Sequence, residues 1–173
     1  MDEKGLAYKR QVNYYETDKM GIVHHSNYIR FFEEARIDFL DKIGLNYKKI
    51  EDMGLIMPVL GVECKYIKPL HFSEDFYVNS RVAKYNGMKL TVEYEIYNRD
   101  GELVTTGRSE HCLLDKDLNP VNIKRNYPDI YNKLKEKGID LANVDTKGLG
   151  DKIGDFFGNI FTAITNFFSG LFG

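Results

Sequence analysis

One acid, one glycine and two histidines stand close together early in this chain. They are Asp18, Gly21, His24 and His25, within YYETDKMGIVHHSNYIRFFEEAR from Tyr14 to Arg36. Asp18 lies in a polar loop, and Gly21 lets the backbone turn sharply there. Ser26 or Asn27 can cap a helix that begins at this point. Tyr28, Phe31, Phe32, Ala35, Phe39 and Ile43 then recur at helical spacing. The pattern sets a carboxylate beside the amide-rich, partially positive end of a buried helix. Such a pairing can attack and polarise a carbonyl group. The same residues also suit a surface loop whose acid merely caps the helix, and local pattern does not separate the two readings. A metal at His24 and His25 has little to support it, because adjacent side chains seldom converge on one ion and no third ligand stands at a known spacing.

The elements that must hold these groups follow from the periodicity. Residues 7–15 read as a weakly alternating first strand, with Tyr8, Val12 and Tyr14 inward. The helix runs from Asn27 to Ile43 and stops at Gly44. Glu33 and Arg36 stand i,i+3 apart on its outer side and can pair. A short second helix covers 46–54. Residues 55–68 form a long strand, with Pro58 near its start and Gly61 as a bulge, and Pro69 ends it. Strands at 75–85 and 88–97 are joined by Asn86-Gly87, a hairpin pair that needs positive φ at both central positions. In the second of them Met88, Leu90, Val92, Tyr94 and Ile96 alternate with Lys89, Thr91, Glu93 and Glu95. A turn at 98–101 leads to a strand over 102–115, where Gly107 is a candidate bulge. Pro128 opens a last helix that stops at Gly138. A long aromatic-rich helix followed by four strands predicts an α+β protein, a curved antiparallel β-sheet wrapped around a central helix. Such a sheet has open edges, so self-association is expected.

Composition narrows the classes. The chain has 173 residues, 43% hydrophobic and 29% charged, with a net charge of −2. Nothing in that balance marks a nucleic-acid binder. Cys64 and Cys112 sit in strand patterns without metal-ligand spacing, and read as reduced, packed thiols in a reducing, cytoplasmic compartment. The polar N-terminus carries no secretory signal, and no run reaches the apolar length of a membrane span. His71 reads as a loop residue and His111 as a hydrogen-bonded histidine inside a strand. Lys65, Lys68, Arg81, Lys84, Lys89, Arg108, Lys124 and Arg125 are candidates for phosphate contacts or, more blandly, solvated strand faces.

Three segments follow: a domain over 1–137, a linker rich in Gly and small polar residues over 138–150, and a tail over 151–173. Wound as a helix, the tail places Ile153, Phe156, Phe157, Ile160, Phe161 and the later apolar residues within an arc of roughly 160°. Gly, Thr, Ser, Asn and Ala fill the other face. An amphipathic helical tail of this kind suits a membrane surface, a partner groove, its own oligomer or its own domain. The Lys and Arg usual on an interfacial helix are missing from its polar face.

The motif resembles the 4-hydroxybenzoyl-CoA thioesterase family, most closely its Tol–Pal-associated acyl-CoA thioesterase branch. Tyr15, Thr17, Asp18, Gly21, Val23, His25, Tyr28, Glu33, Ala35 and Arg36 carry the likeness, which extends over about residues 8–135. The resemblance implies a hotdog fold in a homodimer or homotetramer. It implies hydrolysis of an acyl thioester, of CoA or of an acyl-carrier protein, with no cofactor and no metal, CoA being part of the substrate. Asp18 matches the family's catalytic acid, acting as nucleophile or as general base toward water. His25 matches the position whose backbone N–H faces the thioester oxygen at the helix start. Gly21, Val23, His24 and Tyr28 then fall on the substrate-binding site, with His24 standing where the family often has an aromatic residue. A non-catalytic acyl-CoA sensor is the alternative from another class. The tail has no counterpart in the family.

Overall fold

The computed structural model describes residues 6–137, so the expected linker and tail lie outside the described residues. Within that range the chain is an α+β hotdog fold. Five strands form one antiparallel sheet: β1 (Tyr8–Gln11), β2 (Val59–Tyr66), β3 (Asp75–Tyr85), β4 (Lys89–Asn98) and β5 (Leu103–Cys112). Their spatial order is β1-β3-β4-β5-β2. The helices are α1 (Asn27–Lys42), α2 (Tyr47–Asp52), α3 (Ile123–Asn126) and α4 (Pro128–Lys137).

Helix α1 is the centre of the core. Tyr28, Phe31, Phe32, Ala35 and Phe39 are all buried, as their spacing predicts. They meet the inward residues of the sheet, among them Phe76 and Val78 of β3 and Leu90, Val92, Tyr94 and Ile96 of β4. The alternation of β4 survives intact except at Met88, which lies before the strand and is exposed. Gly44 closes α1 with φ at 77°, the left-handed conformation a helix stop requires. Gly61 sits at a register shift between β2 and β5, as a bulge should.

Gly107 does something different from the expected bulge. Its pairing to Tyr94 and Cys64 is regular. A Cβ at this position would meet the Phe32 ring at 2.4 Å and the Glu63 carbonyl at 2.8 Å. The missing side chain makes room for Phe32, which stacks on Tyr94 with centroids 4.5 Å apart and planes 12° from parallel. The glycine serves close helix-to-sheet packing, a role that strand periodicity does not reveal.

The first strand is shorter than expected. It ends at Gln11, and Tyr14–Glu16 is a single 3-10 turn that carries Tyr14 outward to 78% exposure. Asn13 and Glu16 drive this, because the Asn13 N–H donates to Glu16 Oε2 at 2.8 Å and closes the turn locally. The short helix α3 was not anticipated. Asn122 caps it through the Arg125 N–H at 3.2 Å.

Candidate active site

The loop between β1 and α1 is a small hairpin. Thr17 bridges Val23, and the Asp18 N–H donates to the Ile22 carbonyl at 2.9 Å. Gly21 turns the chain with φ at 74° and donates to the Asp18 carbonyl at 2.9 Å. The Asp18 side chain takes part as well, Oδ1 accepting from the Met20 N–H at 2.7 Å. That bond leaves most of the carboxylate's acceptor capacity free. The hairpin is tied to the sheet side by the Val23 N–H, which donates to the Leu70 carbonyl at 2.8 Å.

The ladder continues to His24, whose N–H donates to the Glu16 carbonyl at 2.8 Å. The buried Asn27 amide donates to the same carbonyl at 2.8 Å. Glu16 is a functional-loop residue that periodicity missed. It is 3% exposed, and its carboxylate pairs with Arg10 at 2.5 Å. Arg10 in turn holds Glu34 of α1 at 3.0 Å. This chain of charges joins β1, the hairpin and α1. Its one sequence signal is the Asn13–Glu16 capping pattern.

The start of α1 is capped differently from the expectation. Neither Ser26 nor Asn27 supplies a side-chain cap. The His24 carbonyl accepts from the Asn27 N–H at 2.9 Å, and His24 Nδ1 lies 2.8 Å from Ser26 Oγ. The His25 N–H has no hydrogen-bond partner among the described residues. His25 is exposed, its ring 4.1 Å from that of His24. The hairpin sets Asp18 opposite Ile22, and His25 follows three residues later, in the turn that opens α1.

The other expected site residues divide by depth. Gly21 is exposed, His24 partly so, and Val23 and Tyr28 are buried at 3% each. Burial raises the Tyr28 hydroxyl to about 12, so it stays protonated. Tyr66 at the end of β2 was absent from the expectations. Its hydroxyl donates to the His25 carbonyl at 3.0 Å, and its ring meets Tyr28 edge-on at 5.2 Å. Nearby Cys64 has its thiol pushed up by burial, which suits a packed thiol rather than a nucleophile.

Arg36 and His111 correct a second expectation. Arg36 does not pair with Glu33. It is 4% exposed and points into the sheet, where Nη1 donates to His111 Nε2 at 2.8 Å. A guanidinium has only donors, so the imidazole nitrogen must accept and the ring is neutral. Burial first, and Arg36 second, lower the His111 pKa to about 4. Ser109 Oγ lies 2.7 Å from the same ring nitrogen and 2.7 Å from the Tyr94 hydroxyl. His111 is thus the hydrogen-bonded strand histidine that its place in the pattern suggested.

Several of the basic candidates are engaged on the surface: Lys68 with Glu102, Arg81 with Glu93, and Arg108 with Glu63 and Glu110. Those pairs match the solvated-face reading.

Comparison with known proteins identifies the family of the chain. Residues 12–137 match the Thioesterase-like superfamily. The Bacillus subtilis protein YneP, provisionally named an acyl-CoA thioesterase, is 37% identical over 130 residues, covering 73% of this chain and 94% of its own. The 1,4-dihydroxy-2-naphthoyl-CoA hydrolase of Thermosynechococcus vestitus is 28% identical, over 62% of this chain and 74% of that one. The crystal structure of DHNA-CoA thioesterase from Staphylococcus aureus superposes with a TM-score of 0.73 at 35% identity, covering 75% of this chain and 88% of that one. A family match over most of the chain, on a sheet and central helix of the right topology, makes this protein a member of the thioesterase-like, hotdog-fold superfamily.

Proposed function

We infer that this protein is an acyl-CoA thioesterase, hydrolysing an acyl thioester to a free acid and CoA. The observation that carries the reading is that the His25 N–H at the start of α1 has no hydrogen-bond partner among the described residues, with Asp18 on the adjoining hairpin, opposite Ile22. The His25 N–H donates to the thioester oxygen, and the helix dipole adds to the polarisation. Asp18 acts as general base, taking a proton from water as the water oxygen bonds to the carbonyl carbon, or attacks that carbon itself. With Asp18 as base, the C–S bond then breaks and the proton leaves with the CoA thiolate. With Asp18 as nucleophile, C–S cleavage leaves an acyl–Asp18 anhydride, which water hydrolyses to the free acid, a water proton going to the thiolate. Gly21, Val23, His24 and Tyr28 line the substrate site. The chemistry calls for neither cofactor nor metal.

The finer affiliation, to the 4-hydroxybenzoyl-CoA thioesterases and their Tol–Pal-associated branch, rests on the motif from Tyr15 to Arg36. The working unit is a homodimer or homotetramer built on β2. That strand pairs only with β5 among the described residues, and it exposes Val59, Leu60, Val62 and Tyr66 at 41–54%. An apolar edge of this kind is covered in a stable protein. Light scattering should give a dimer or larger for the wild type and a monomer for Val62→Lys.

Residues 151–173 recruit the enzyme to a membrane surface or an assembly partner, on the strength of their one-sided apolar sequence. Among the described residues no helix is long and apolar enough to cross a membrane. The free thiols of Cys64 and Cys112 support a cytoplasmic setting. Removing residues 138–173 should leave an active core that no longer floats with vesicles or retains its partner. A core that fails to fold would end the recruitment reading.

Thiol release across a panel of acyl-CoA chain lengths tests the function. Turnover of CoA esters supports it. Binding without thiol release would make the protein an acyl-CoA sensor, and much faster turnover of acyl-carrier-protein thioesters would move the substrate to that class.

A further inference from the structure

We propose that Tyr66 is a positioning residue for thioester hydrolysis, its hydroxyl setting the orientation of the His25 amide that receives the substrate oxygen. The proposal rests on the acyl-CoA reading above.

An amide left open for substrate has a cost for the loop that carries it. No side chain caps the start of α1, and the His25 N–H has no partner among the described residues to hold it in place. This N–H lies in the rigid plane of the His24–His25 peptide, and that plane pivots on the next one at the His25 Cα, so holding both planes fixes its direction. The preceding plane is held at the His24 carbonyl, which accepts from the Asn27 N–H at 2.9 Å. The following plane is held at the His25 carbonyl by the Tyr66 hydroxyl, at 3.0 Å, and more loosely from within the loop at the Ser26 N–H, which donates to His24 Nδ1 at 3.4 Å. These bonds together pin the backbone angles of His25, and the Tyr66 bond is the one that ties them to the sheet.

Tyr66 is suited to this task. Its ring packs edge-on against Tyr28, a residue only 3% exposed, which limits its own freedom. It stands at the end of β2, so the tether runs from the sheet to the loop rather than within the loop. A loop held only by its own short-range bonds would rotate more freely at His25. Pre-set donors aimed at a developing oxyanion act without reorganisation at the moment of reaction. Loss of the hydroxyl therefore acts on the transition state more than on substrate binding.

The test compares full-length Tyr66→Phe with Tyr97→Phe as a control. Tyr97 also donates to an acceptor, Glu95 Oε2 at 2.8 Å, but on the sheet surface. The chain has four histidines, so selective 15N-histidine labelling gives four backbone amide signals. For Tyr66→Phe we expect kcat to fall roughly 10-fold with KM within about 2-fold, the pattern of an interaction made in the transition state. The His25 amide signal should shift or broaden while those of His71 and His111 stay fixed. Tyr97→Phe should change neither. With an active wild type, unchanged kcat, an unchanged His25 signal, or a loss confined to KM each overturns the proposal alone. A wild type that turns over no thioester overturns the acyl-CoA reading beneath it.

Discussion

The two halves of α1 treat their polar groups in opposite ways. At the N-terminal end His25 is exposed, its N–H has no partner among the described residues, and Asp18 nearby has one hydrogen bond from Met20. Toward the other end Arg36 and His111 are 4% and 0% exposed, and they form a continuous network with Ser109 and Tyr94. Both regions combine a histidine with a charged group. At the rim, unmet hydrogen-bonding capacity is available to a substrate. In the interior the same capacity is spent on holding helix to sheet, and even there Arg36 Nε has no partner among the described residues. A buried guanidinium that faces a neutral ring has no opposite charge there to offset its desolvation, so the hydrogen bonds of this network must do so.

If that division holds, rim substitutions should cost activity and interior ones stability. Asp18→Asn gives the largest effect. It should lower kcat by about 10²–10⁴-fold with an unchanged melting temperature, as measured by thiol release and calorimetry. A matching loss of stability would place Asp18 with the interior group instead.

The next largest effect is a pH dependence. His111 has its pKa lowered to about 4 in the folded protein, whereas in the unfolded chain it titrates near 6.5. Between those values the unfolded chain binds more protons, so stability rises with pH through this window. The loss is nil above about pH 6.5 and reaches on the order of 3 kcal/mol as pH falls to about 4. Melting curves from pH 4 to 8 should show it, and His111→Gln should flatten that part of the profile.

Gly107→Ala should cost about 1–3 kcal/mol, because the new methyl collides with the Phe32 ring and with backbone at Glu63. Denaturant unfolding reads this directly. A neutral result would mean that Phe32 can leave its stack on Tyr94 freely. The smallest effect is Gly44→Ala, about 1 kcal/mol in the same assay, from forcing a side chain into the left-handed conformation at the helix stop.

Much of the scaffold was legible in the chain. The aromatic spacing from Tyr28 to Phe39 marked the central helix, and strict alternation from Leu90 to Ile96 marked β4. Gly87 and Gly44 marked their turns because few other residues tolerate those angles, whereas Asn86, expected at positive φ as well, is not in that region and instead accepts through Oδ1 from the Met88 and Lys89 N–H groups. The misses share a cause. Arg36 looked outward because Glu33 stood at pairing distance along the helix, yet its partner lies 75 residues away. Tyr14 looked like a strand residue because alternation ignores the Asn13–Glu16 bond that breaks the strand. Gly107 looked like a bulge because one strand's pattern holds no information about the ring packed over it.

The site shows the same boundary. The proposed roles of Asp18 and Gly21 could be drawn from residue type and spacing, since a loop acid before a helix start is a local arrangement, and that of His25 from the family resemblance. Tyr66 could not, for it reaches His25 across 41 residues through the fold.

By itself the sequence determined the main elements, their order and the loop that carries the acid, because backbone angles, periodicity and turn chemistry act over a few neighbouring residues. Only the tertiary structure decided which polar groups are left open and which are consumed, because satisfaction of a buried donor or acceptor depends on what the folded chain brings beside it.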